Sequence, residues 1–339
     1  MNQFSIGIIF FFFCQLSSFC QSEKSLLSTD TYRIVFYNVE NLFDTKQNSS
    51  HDTFYKEGYH KWNKSRYYTK IQNISKVLVA CGENQNYPSV IALCEVENKN
   101  VLKDICCYSC LRNLNYNIVH QDDLDPRGIE GALLYRNSLF IEENSFLLSL
   151  STDSIRVKRQ VLVVVLKTKF DEKFIFFVNH WPSRFSGRLY TDKKRICAAN
   201  RLRNISDSLK KINPNAFFIY LGDFNDDEKS KSIKILQEAR GIKNVNMFNA
   251  LDYSKSNANG TIKSKGNWAF FDHIFVSENL IHNDTISLSK EGLHILQNDF
   301  LFESDGRRLG QKPYRTFLGP LYKGGYSDHL PVFVDIIRK

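Results

Sequence analysis

Paired cysteine clusters, the usual mark of a zinc site or a disulfide scaffold, are missing from this sequence. Eight cysteines are spread over 339 residues, and the single C-x-x-C spacing, Cys107 to Cys110, has no second half-site to complete a zinc motif. The chain is also far larger than the small secreted domains that depend on several disulfides. We expect the thiols of this segment, Cys106, Cys107 and Cys110, to lie on an apolar helix face, although an oxidising compartment could pair two of the cysteines.

Apolar runs long enough to cross a bilayer as a helix, about 20 residues, are missing as well. The apolar segment at residues 4–13 resembles the hydrophobic region of a signal peptide, although the usual basic residues do not precede it. We expect residues 1–20 to be a signal peptide and the protein to be exported, periplasmic or secreted. Two alternatives stay open. The segment could form a buried strand, or Cys20 could carry a lipid anchor, which is the one route to membrane contact.

The middle of the chain contains no linker-like or low-complexity stretch. With 42% hydrophobic and 14% aromatic residues, the sequence can fill a large core, and α/β folds of this length often form one domain. We therefore predict a single domain over residues 21–339, a monomer with no obligate protein partner. The formal net charge of +9, carried wholly beyond residue 20, would attract a polyanionic substrate.

Runs with strand spacing alternate with helical patterns along this domain. The runs at 157–168 and 173–179 are separated by a short polar turn, which predicts an antiparallel hairpin and excludes a purely parallel sheet. The pattern predicts an α/β protein with two mixed sheets between helical layers. The other strands are expected at 33–37, 90–96, 131–136, 216–221, 271–276 and 331–336, and the helices at 66–81, 99–112, 189–211 and 229–239.

Acid, amide and imidazole groups stand at the ends of six of these strands. Asp223 and Asn225 follow one apolar run, and Asp328 and His329 precede another. A turn or a buried histidine would explain one such cluster, but six of them indicate a common site, because α/β enzymes build their sites at strand ends. The other four clusters contain Asn38 and Glu40, Glu95 and Glu97, Asn179 and His180, and Asp272 and His273.

The donor set of these clusters is carboxylate and amide oxygen plus imidazole, without paired thiolates. Such a set suits Mg²⁺, Mn²⁺ or Ca²⁺ better than zinc. A Mg²⁺ site commonly takes one or two protein carboxylates and leaves its other positions to water and substrate phosphate. Metal-assisted phosphoester hydrolysis is therefore the predicted reaction class, with Mg²⁺ or Mn²⁺ as the cofactor and Ca²⁺ as a further candidate.

The order of these residues, from about residue 31 to residue 336, resembles that of the endonuclease/exonuclease/phosphatase superfamily. Deoxyribonuclease-like enzymes, inositol-polyphosphate 5-phosphatases and neutral sphingomyelinases belong to it. The resemblance implies a four-layer α/β sandwich, in which two mixed β-sheets pack face to face and are flanked by helices, and a divalent metal. The order in this chain is Asn38, Glu95, His180, Asp223 with Asn225, Asp272, and Asp328 with His329.

By that resemblance, four residues would form the metal environment. Glu95 would be the principal ligand, with Asn38 beside it. Glu40 stands where some members place an aspartate, and Asp328 could also contribute.

The catalytic group implied by the resemblance has five members. Asp223 would orient or deprotonate the attacking water, and Asn225 would hold the phosphate or that aspartate. His329 would donate to a non-bridging or leaving oxygen, while Asp272 would orient the imidazole and favour its charged form. His180 matches a second histidine of deoxyribonuclease-like and sphingomyelinase-like members, which argues against a specialised abasic-site enzyme.

Two loop arginines, Arg127 and Arg184, are candidate substrate-binding residues. A planar guanidinium can grip two phosphate oxygens, so both are predicted phosphate clamps, the alternative being that they are solvated loop residues. The long polar loops at 46–64 and 251–267 would shape substrate entry or be tolerated surface insertions.

Three functional hypotheses remain. The first is an exported endonuclease that cleaves nucleic acid, favoured by the leader, the positive charge and a resemblance of residues 307–326 to exported bacterial endonuclease-like proteins. The second is a phosphatase or phosphodiesterase for inositol phosphates or sphingomyelin-like lipid. The third is an inactive binding module, which is disfavoured because binding alone would not require the full set of acids and histidines.

Overall fold

The computed structural model describes residues 31–46, 53–82, 86–122, 127–184, 187–239, 241, 244–306 and 308–339. The expected signal peptide and the alternative lipid anchor at Cys20 lie outside the described residues. None of the described helices is both long enough and apolar enough to cross a membrane.

Two large sheets and four α-helices account for most of the regular structure in the described ranges. The helices are α1 (Lys64–Ala80), α2 (Lys99–Cys107), α3 (Arg188–Ile212) and α4 (Lys231–Gln237). The strands are β1 (Thr31–Leu42), β2 (Val90–Val96), β3 (Tyr116–His120), β4 (Glu130–Arg136), β5 (Phe140–Ser149), β6 (Gln160–Thr168), β7 (Lys173–His180), β8 (Phe217–Asp223), β9 (Met247–Asn249), β10 (Ile262–Ser264), β11 (Asn267–Ala269), β12 (Asp272–Ser277), β13 (Ile286–Leu288), β14 (His294–Ile295), β15 (Phe302–Ser304), β16 (Gln311–Pro313), β17 (Phe317–Leu318), β18 (Leu321–Tyr322) and β19 (Val332–Arg338).

Both large sheets are mixed, as the sequence predicts. The first has the order β13-β19-β1-β2-β4-β3, with β14 also beside β19, and its one parallel pair is β1 with β2. The second has the order β5-β6-β7-β8-β12-β9, and its one parallel pair is β7 with β8. Each parallel pair brings two carboxyl-terminal strand ends to the same edge of its sheet.

The layers are held together by two apolar cores. Strands β1, β2 and β4 contact β7 and β8 across the interface between the sheets. The larger core joins this interface to α1, whose Ile71, Ile74 and Leu78 are fully buried at helical spacing. The smaller core packs Leu202 of α3 and Ile233 of α4 on the outer face of the second sheet. The four-layer sandwich is therefore confirmed.

Most predicted helices and long strands lie within a few residues of their expected bounds, but α2 ends at Cys107 instead of residue 112, and β1 extends to Leu42 instead of residue 37. β6 and β7 form the expected antiparallel hairpin. Eleven of the nineteen described strands were not predicted from the sequence; nine of these have only two or three residues, and the other two are β3 and β5. β3 is short, and β5 is an edge strand whose exposed residues 141–144 blur the alternation of apolar and polar positions.

The cysteine prediction is wrong in part. Cys106 is buried on α2, but Cys107 and Cys110 are exposed, because α2 ends at Cys107 and a separate 3₁₀ turn begins at Cys110. Within the described ranges no disulfide joins any of the cysteines.

Candidate active site

Strand register brings the predicted catalytic residues of the second sheet together. His180 ends β7 opposite Asp223, which ends the parallel strand β8. Asp272 begins β12 opposite the same Asp223 on its other side. Asp223 therefore lies between the two neighbouring strands that carry His180 and Asp272.

Left-handed backbone conformations mark the strand ends on both sheets. Glu40 and Asn41 have φ of 54° and 53°, Glu95 has 66°, and Asn225 has 52°. Such conformations cost about 1–3 kcal/mol each for residues other than glycine and cluster at functional sites. They coincide with irregular register between β1, β2 and β4. The backbone N–H of Asn41 donates to Glu95 Oε2 at 2.9 Å, so the two irregular segments of the first sheet hold each other.

His329 and Asp272 form a buried pair. His329 Nδ1 lies 2.8 Å from Asp272 Oδ2 and 3.0 Å from Oδ1, and the side chains are 6% and 0% exposed. Burial opposes charge on the imidazole, but the combined attraction of Asp272 and Asp223 is larger and raises the pKa of His329 well above its ordinary value. The surroundings therefore favour the imidazolium form of His329, whose Nε2 lies 3.8 Å from Asp223 Oδ2.

The surroundings of His180 shift its pKa in the opposite direction. Burial lowers its pKa well below the ordinary value, and the positive charges of Arg159, Arg127 and His329 lower it further. Its Nε2 lies 3.6 Å from Glu95 Oε1 and 3.8 Å from Asp223 Oδ2, beyond hydrogen-bond range.

Asp223 is fixed by two amide donors. The backbone N–H of Asn225 donates to Oδ1 at 2.9 Å, and Asn38 Nδ2 donates to Oδ2 at 3.1 Å. Burial raises the pKa of Asp223 to about 7, with Asp272 adding to the shift and His329 opposing it. A carboxylate with a pKa near neutrality can accept a proton and release it again. The Asn225 side chain donates from Nδ2 to Trp181 O at 3.0 Å, which fixes the orientation of the amide.

Glu95 and Asn38 fit a hard divalent cation. Glu95 is 14% exposed and uses Oε2 to accept from Asn41, while Oε1 faces the cleft near His180. Asn38 Oδ1 accepts from the backbone N–H of Glu40 at 3.0 Å. Carboxylate and amide oxygens of this kind are what Mg²⁺ and Mn²⁺ prefer.

Glu40 and Asp328 are engaged differently from the sequence expectation. Arg315 Nε donates to Glu40 Oε1 at 2.9 Å, and the backbone N–H of Thr316 donates to Oε2 at 2.7 Å. Arg315 Nη2 also donates to Asp328 Oδ2 at 3.0 Å. Both oxygens of Glu40 are thus committed to the 315–316 segment, which gives it a positioning role in this geometry. Its assignment as a metal ligand stays a prediction that the contacts do not favour.

Lys70 supports the same segment from α1 and is a site residue that sequence reasoning missed. Its side chain is buried in a helix with an amphipathic pattern, and its Nζ donates to Thr316 Oγ1 and to Tyr326 O. Burial lowers the pKa of Lys70 to about 8, against the opposing attraction of Glu40 and Asp328. The available signal was its position in the helix, because Lys70 lies on the same face as the buried Tyr67 and Ile74, whereas Lys64 and Lys76 are exposed.

The two predicted phosphate clamps lie in different surroundings. Arg127 is close enough to His180 to lower its pKa. Arg184 binds Asp226 at 2.8 Å, Asp227 at 3.1 Å and the carbonyl oxygen of Asn225 at 2.8 Å. These contacts hold the segment after β8 in place, so direct phosphate binding by Arg184 stays a prediction without geometric support.

Arg159 is a second missed residue beside the site. Its Nη1 donates to Trp181 O at 2.5 Å, and its charge lowers the pKa of both His180 and Asp223. The sequence placed it inside the predicted strand 157–168, where an arginine is usually a surface residue. The strand begins at Gln160, so Arg159 stands at the strand end that adjoins the catalytic group.

The loop after β9 is hydrogen-bonded to the start of β12 and to the segment just before β19. Thr261 Oγ1 accepts from the backbone N–H of Phe271 at 3.1 Å and from that of Asp272 at 3.3 Å, and its carbonyl oxygen accepts from Leu330 N–H at 2.8 Å. Ile262 forms an isolated bridge with His329. The segment predicted as a long entry loop therefore binds the backbone on either side of the Asp272–His329 pair and helps to hold the pair in position.

Comparison with known proteins places this geometry in a broad family. A family model described as Endonuclease/Exonuclease/phosphatase family matches residues 33–338. Among solved structures, an endonuclease/exonuclease/phosphatase family protein from Bacteroides thetaiotaomicron is 18% identical, with a TM-score of 0.59 over 91% of this chain and 95% of that one. The human Nocturnin catalytic domain is 15% identical, with a TM-score of 0.57 over 91% and 95%.

A mannosyl-6-phosphatase from Bacteroides thetaiotaomicron is also similar in fold. It is 17% identical, with a TM-score of 0.58 over 90% of this chain and 99% of that one. A search of curated proteins found no match. Similarities at this level of identity establish the architecture and do not transfer a substrate.

Proposed function

Because the chain belongs to the endonuclease/exonuclease/phosphatase family, whose match spans residues 33–338, we propose that it is a divalent-metal-dependent endonuclease that cleaves phosphodiester bonds by attack of water. Members of this family are usually metal-dependent hydrolases of phosphoester bonds. The proposal adds to this a preference for nucleic acid, Mg²⁺ or Mn²⁺ as the cofactor, and export from the cell.

One observation carries the proposal: Asp223 lies between two buried histidines whose pKa values are shifted in opposite directions. Its Oδ2 is 3.8 Å from His180 Nε2 and from His329 Nε2. A proton acceptor with a pKa of about 7 beside an imidazolium is a combination suited to activating water and stabilising developing negative charge.

Each side chain then has a defined task. Asp223, held by Asn225 and Asn38, orients a water and takes its proton as the water attacks phosphorus, while the ester bond from phosphorus to the leaving oxygen breaks. His329 donates from Nε2 to a phosphate oxygen while Asp272 keeps the ring oriented and charged. His180, as a neutral imidazole, contributes a hydrogen bond to the same phosphate.

A metal would be held by Glu95 and Asn38, where it would supply neutralisation of the charge that gathers on phosphate. Glu95 is prepared for this because the backbone N–H of Asn41 occupies Oε2 and leaves Oε1 toward the cleft. Asn38 links the metal environment to the proton acceptor, since its Nδ2 donates to Asp223.

Nucleic acid is the proposed substrate because the protein surface favours a polyanion. The chain carries a formal net charge of +9, and Arg127 and Arg159 both add positive charge around His180. Charge of this kind raises the local concentration of a phosphate polymer and steers its approach.

A substrate panel tests the proposal. Plasmid DNA, RNA, an inositol polyphosphate, sphingomyelin and a sugar phosphate are each incubated with Mg²⁺, Mn²⁺, Ca²⁺ or a chelator. We expect nicking of plasmid or cleavage of RNA with Mg²⁺ or Mn²⁺, and no reaction with chelator. Release of phosphate from the monoesters alone would replace the nuclease by a phosphatase, and sphingomyelin cleavage would replace it by a lipid phosphodiesterase.

Matched variants show that the measured activity belongs to this site. Asp223→Asn should abolish cleavage, whereas Asp284→Asn, an exposed carboxylate in the turn before β13, should leave it unchanged. Activity retained in Asp223→Asn would assign the cleavage to a contaminant or to another site.

We also propose that residues 1–20 are removed on export and that residues 21–339 form the mature domain. The apolar segment at 4–13 supports this. Fractionation and N-terminal sequencing should find the protein outside the cytoplasm and beginning near residue 21. A mature chain that begins with a lipid-modified Cys20 would establish a lipoprotein, and an intact N-terminus in the cytoplasm would contradict export.

A further inference from the structure

A second group of metal-ligating side chains lies at the end of the β3–β4 hairpin, apart from the catalytic residues. His120 is the last residue of β3, and Glu130 is the first of β4. His120 pairs with Ala132 in the antiparallel ladder, so continuing that register places Asp122 across from Glu130. Because side chains alternate along a strand, His120, Asp122 and Glu130 share one face.

The ligand atoms of these three residues converge. One donor atom from each lies within 4.8 Å of the others, a spacing that could surround one ion. His120 Nε2 and Glu130 Oε2 are 2.8 Å apart, and their side chains are only 2% and 6% exposed. Asp122 is exposed and leaves the cluster accessible from solvent.

The two buried atoms are close without forming a hydrogen bond. His120 Nε2 and Glu130 Oε2 lie at ion-pair distance from each other, but neither atom forms a hydrogen bond among the described residues. Buried polar atoms without partners are rare in native proteins, and a bound ion is one way in which such atoms are satisfied. A cation placed between an imidazole nitrogen and two carboxylates would satisfy both atoms.

We propose that His120, Asp122 and Glu130 bind a divalent transition-metal ion, with Zn²⁺ as the preferred occupant. Imidazole together with carboxylate suits Zn²⁺, whereas the oxygen donors around Glu95 suit Mg²⁺. Three protein ligands leave the fourth tetrahedral position to water or to a substrate oxygen. The protein would therefore carry two metal sites of different preference.

The position of this site gives the bound ion a role near the cleft. Glu130 pairs with Val96, the residue after Glu95, and Arg127 is three residues before Glu130. An ion bound by His120 and Glu130 would cross-link the end of β3 to the start of β4, just after Arg127 in the chain. The ion would limit the positions that Arg127 can take relative to the candidate active site. It would also add positive charge beside Glu95.

Metal titration tests the site independently of catalysis. The mature protein is stripped with chelator, saturated with Mg²⁺ to occupy the catalytic site, and titrated calorimetrically with Zn²⁺. We expect one equivalent of Zn²⁺ to bind. Asp122→Asn, an exposed change that spares the core, should weaken that binding at least tenfold, and His120→Ala should remove it.

Two controls separate this site from the rest of the molecule. Glu95→Gln should keep the Zn²⁺ equivalent, since the catalytic ligand does not contribute to it. His282→Ala, an exposed histidine elsewhere in the fold, should also keep it. A Co²⁺-substituted protein should show tetrahedral visible absorption bands that are lost in Asp122→Asn and retained in Glu95→Gln.

The outcomes that would overturn the proposal are distinct. Zn²⁺ binding that is unchanged in Asp122→Asn and His120→Ala would place the ion elsewhere. Wild-type protein that takes up no Zn²⁺ under these conditions would leave His120 and Glu130 as a buried pair without an ion. Loss of binding in Glu95→Gln alone would show a single metal centre.

Discussion

Two histidines at the catalytic cleft show how surroundings assign opposite roles to one residue type. His329 accepts the attraction of Asp272 and Asp223, which outweighs burial and raises its pKa. His180 is buried beside Arg159, Arg127 and His329, and its pKa falls. The charged histidine can donate to an anion at neutral pH, while the neutral one serves as a polar contact.

We expect Asp272 and His329 to act as one unit. Replacing either should lower the rate by about 10²-fold or more, and replacing both should cost little beyond the worse single change. The reason is that the Asp272 carboxylate contacts the ring at 2.8 Å and has no other catalytic task. Rates of Asp272→Asn, His329→Gln and the double variant form the measurement, and fully multiplicative losses would contradict the pairing.

The pH profile provides a separate prediction for the same pair. Activity should fall at alkaline pH as His329 loses its proton, because the imidazolium is the active form. Asp272→Asn removes an anion that raises the pKa of His329, so the alkaline limb should move to lower pH. Rate profiles of wild type and variant measure the shift. A limb that stays in place would mean that another group sets it.

Replacing Glu95 and replacing Asp223 should have different effects on metal affinity. Glu95→Gln should weaken Mn²⁺ binding, since it removes the principal charged ligand, while Asp223→Asn should leave metal affinity nearly intact and mainly lower the rate. Calorimetric titration of both variants with Mn²⁺ decides between these roles. Equal loss of affinity in the two would make Asp223 a ligand.

At the scale of the elements, the site depends on a close approach between β7 and β8. Gly222 precedes Asp223, and a Cβ atom at this position would lie 2.1 Å from the carbonyl oxygen of Asn179 on the neighbouring strand. The parallel pair therefore requires glycine here, and this is what allows His180 and Asp223 to end their strands side by side.

Gly222→Ala should destabilise the protein by several kcal/mol, on the order of the largest single-residue effects, because backbone on both strands must move. Gly306→Ala is the matched control, since a Cβ there meets nothing within 4 Å. Denaturant unfolding of the two variants measures the difference. Equal stability of both would mean that the strands separate freely at this point.

The elements around His329 are connected by polar contacts rather than by apolar packing alone. α1 reaches the segment before β19 through Lys70, and Arg315 in that segment binds Glu40 of β1 and Asp328. These contacts join the helical layer to the first sheet and to Asp328, the residue before His329.

At the scale of the whole molecule, the two sheets form one unit around the catalytic edge. Glu95 and Asn38 come from the first sheet, while His180, Asp223 and Asp272 come from the second. A ligand bound between them should stabilise the folded state as a whole, because unfolding separates its contacts.

We expect one cooperative unfolding transition in chelator and an upward shift of that transition with Mg²⁺. At a Mg²⁺ concentration of about 100 times the dissociation constant, the stabilisation should be about 2.7 kcal/mol. Glu95→Gln should lose most of the shift, and the exposed-site control Asp284→Asn should keep it. Two separate transitions would contradict the single domain, and a shift preserved in Glu95→Gln would place the stabilising ion elsewhere.

The sequence by itself located the long strands and the order of the candidate catalytic residues, and its family resemblance implied the four-layer sandwich. Apolar runs bounded by polar groups locate the long strands, and the groups at the strand ends locate Glu95, Asp223 and His329, because both signals are local in the chain. The hairpin of β6 and β7 was also predictable from its short turn.

Tertiary structure alone decided which of these groups share contacts. Glu40, a predicted metal ligand, accepts a hydrogen bond from Arg315, which is 275 residues away, and Lys70 donates to Tyr326 O across 256 residues. Arg184, a predicted phosphate clamp, likewise forms an ion pair with Asp226. The charge states of His180 and His329 follow the same rule, since pKa depends on burial and on charges that only the folded chain brings near.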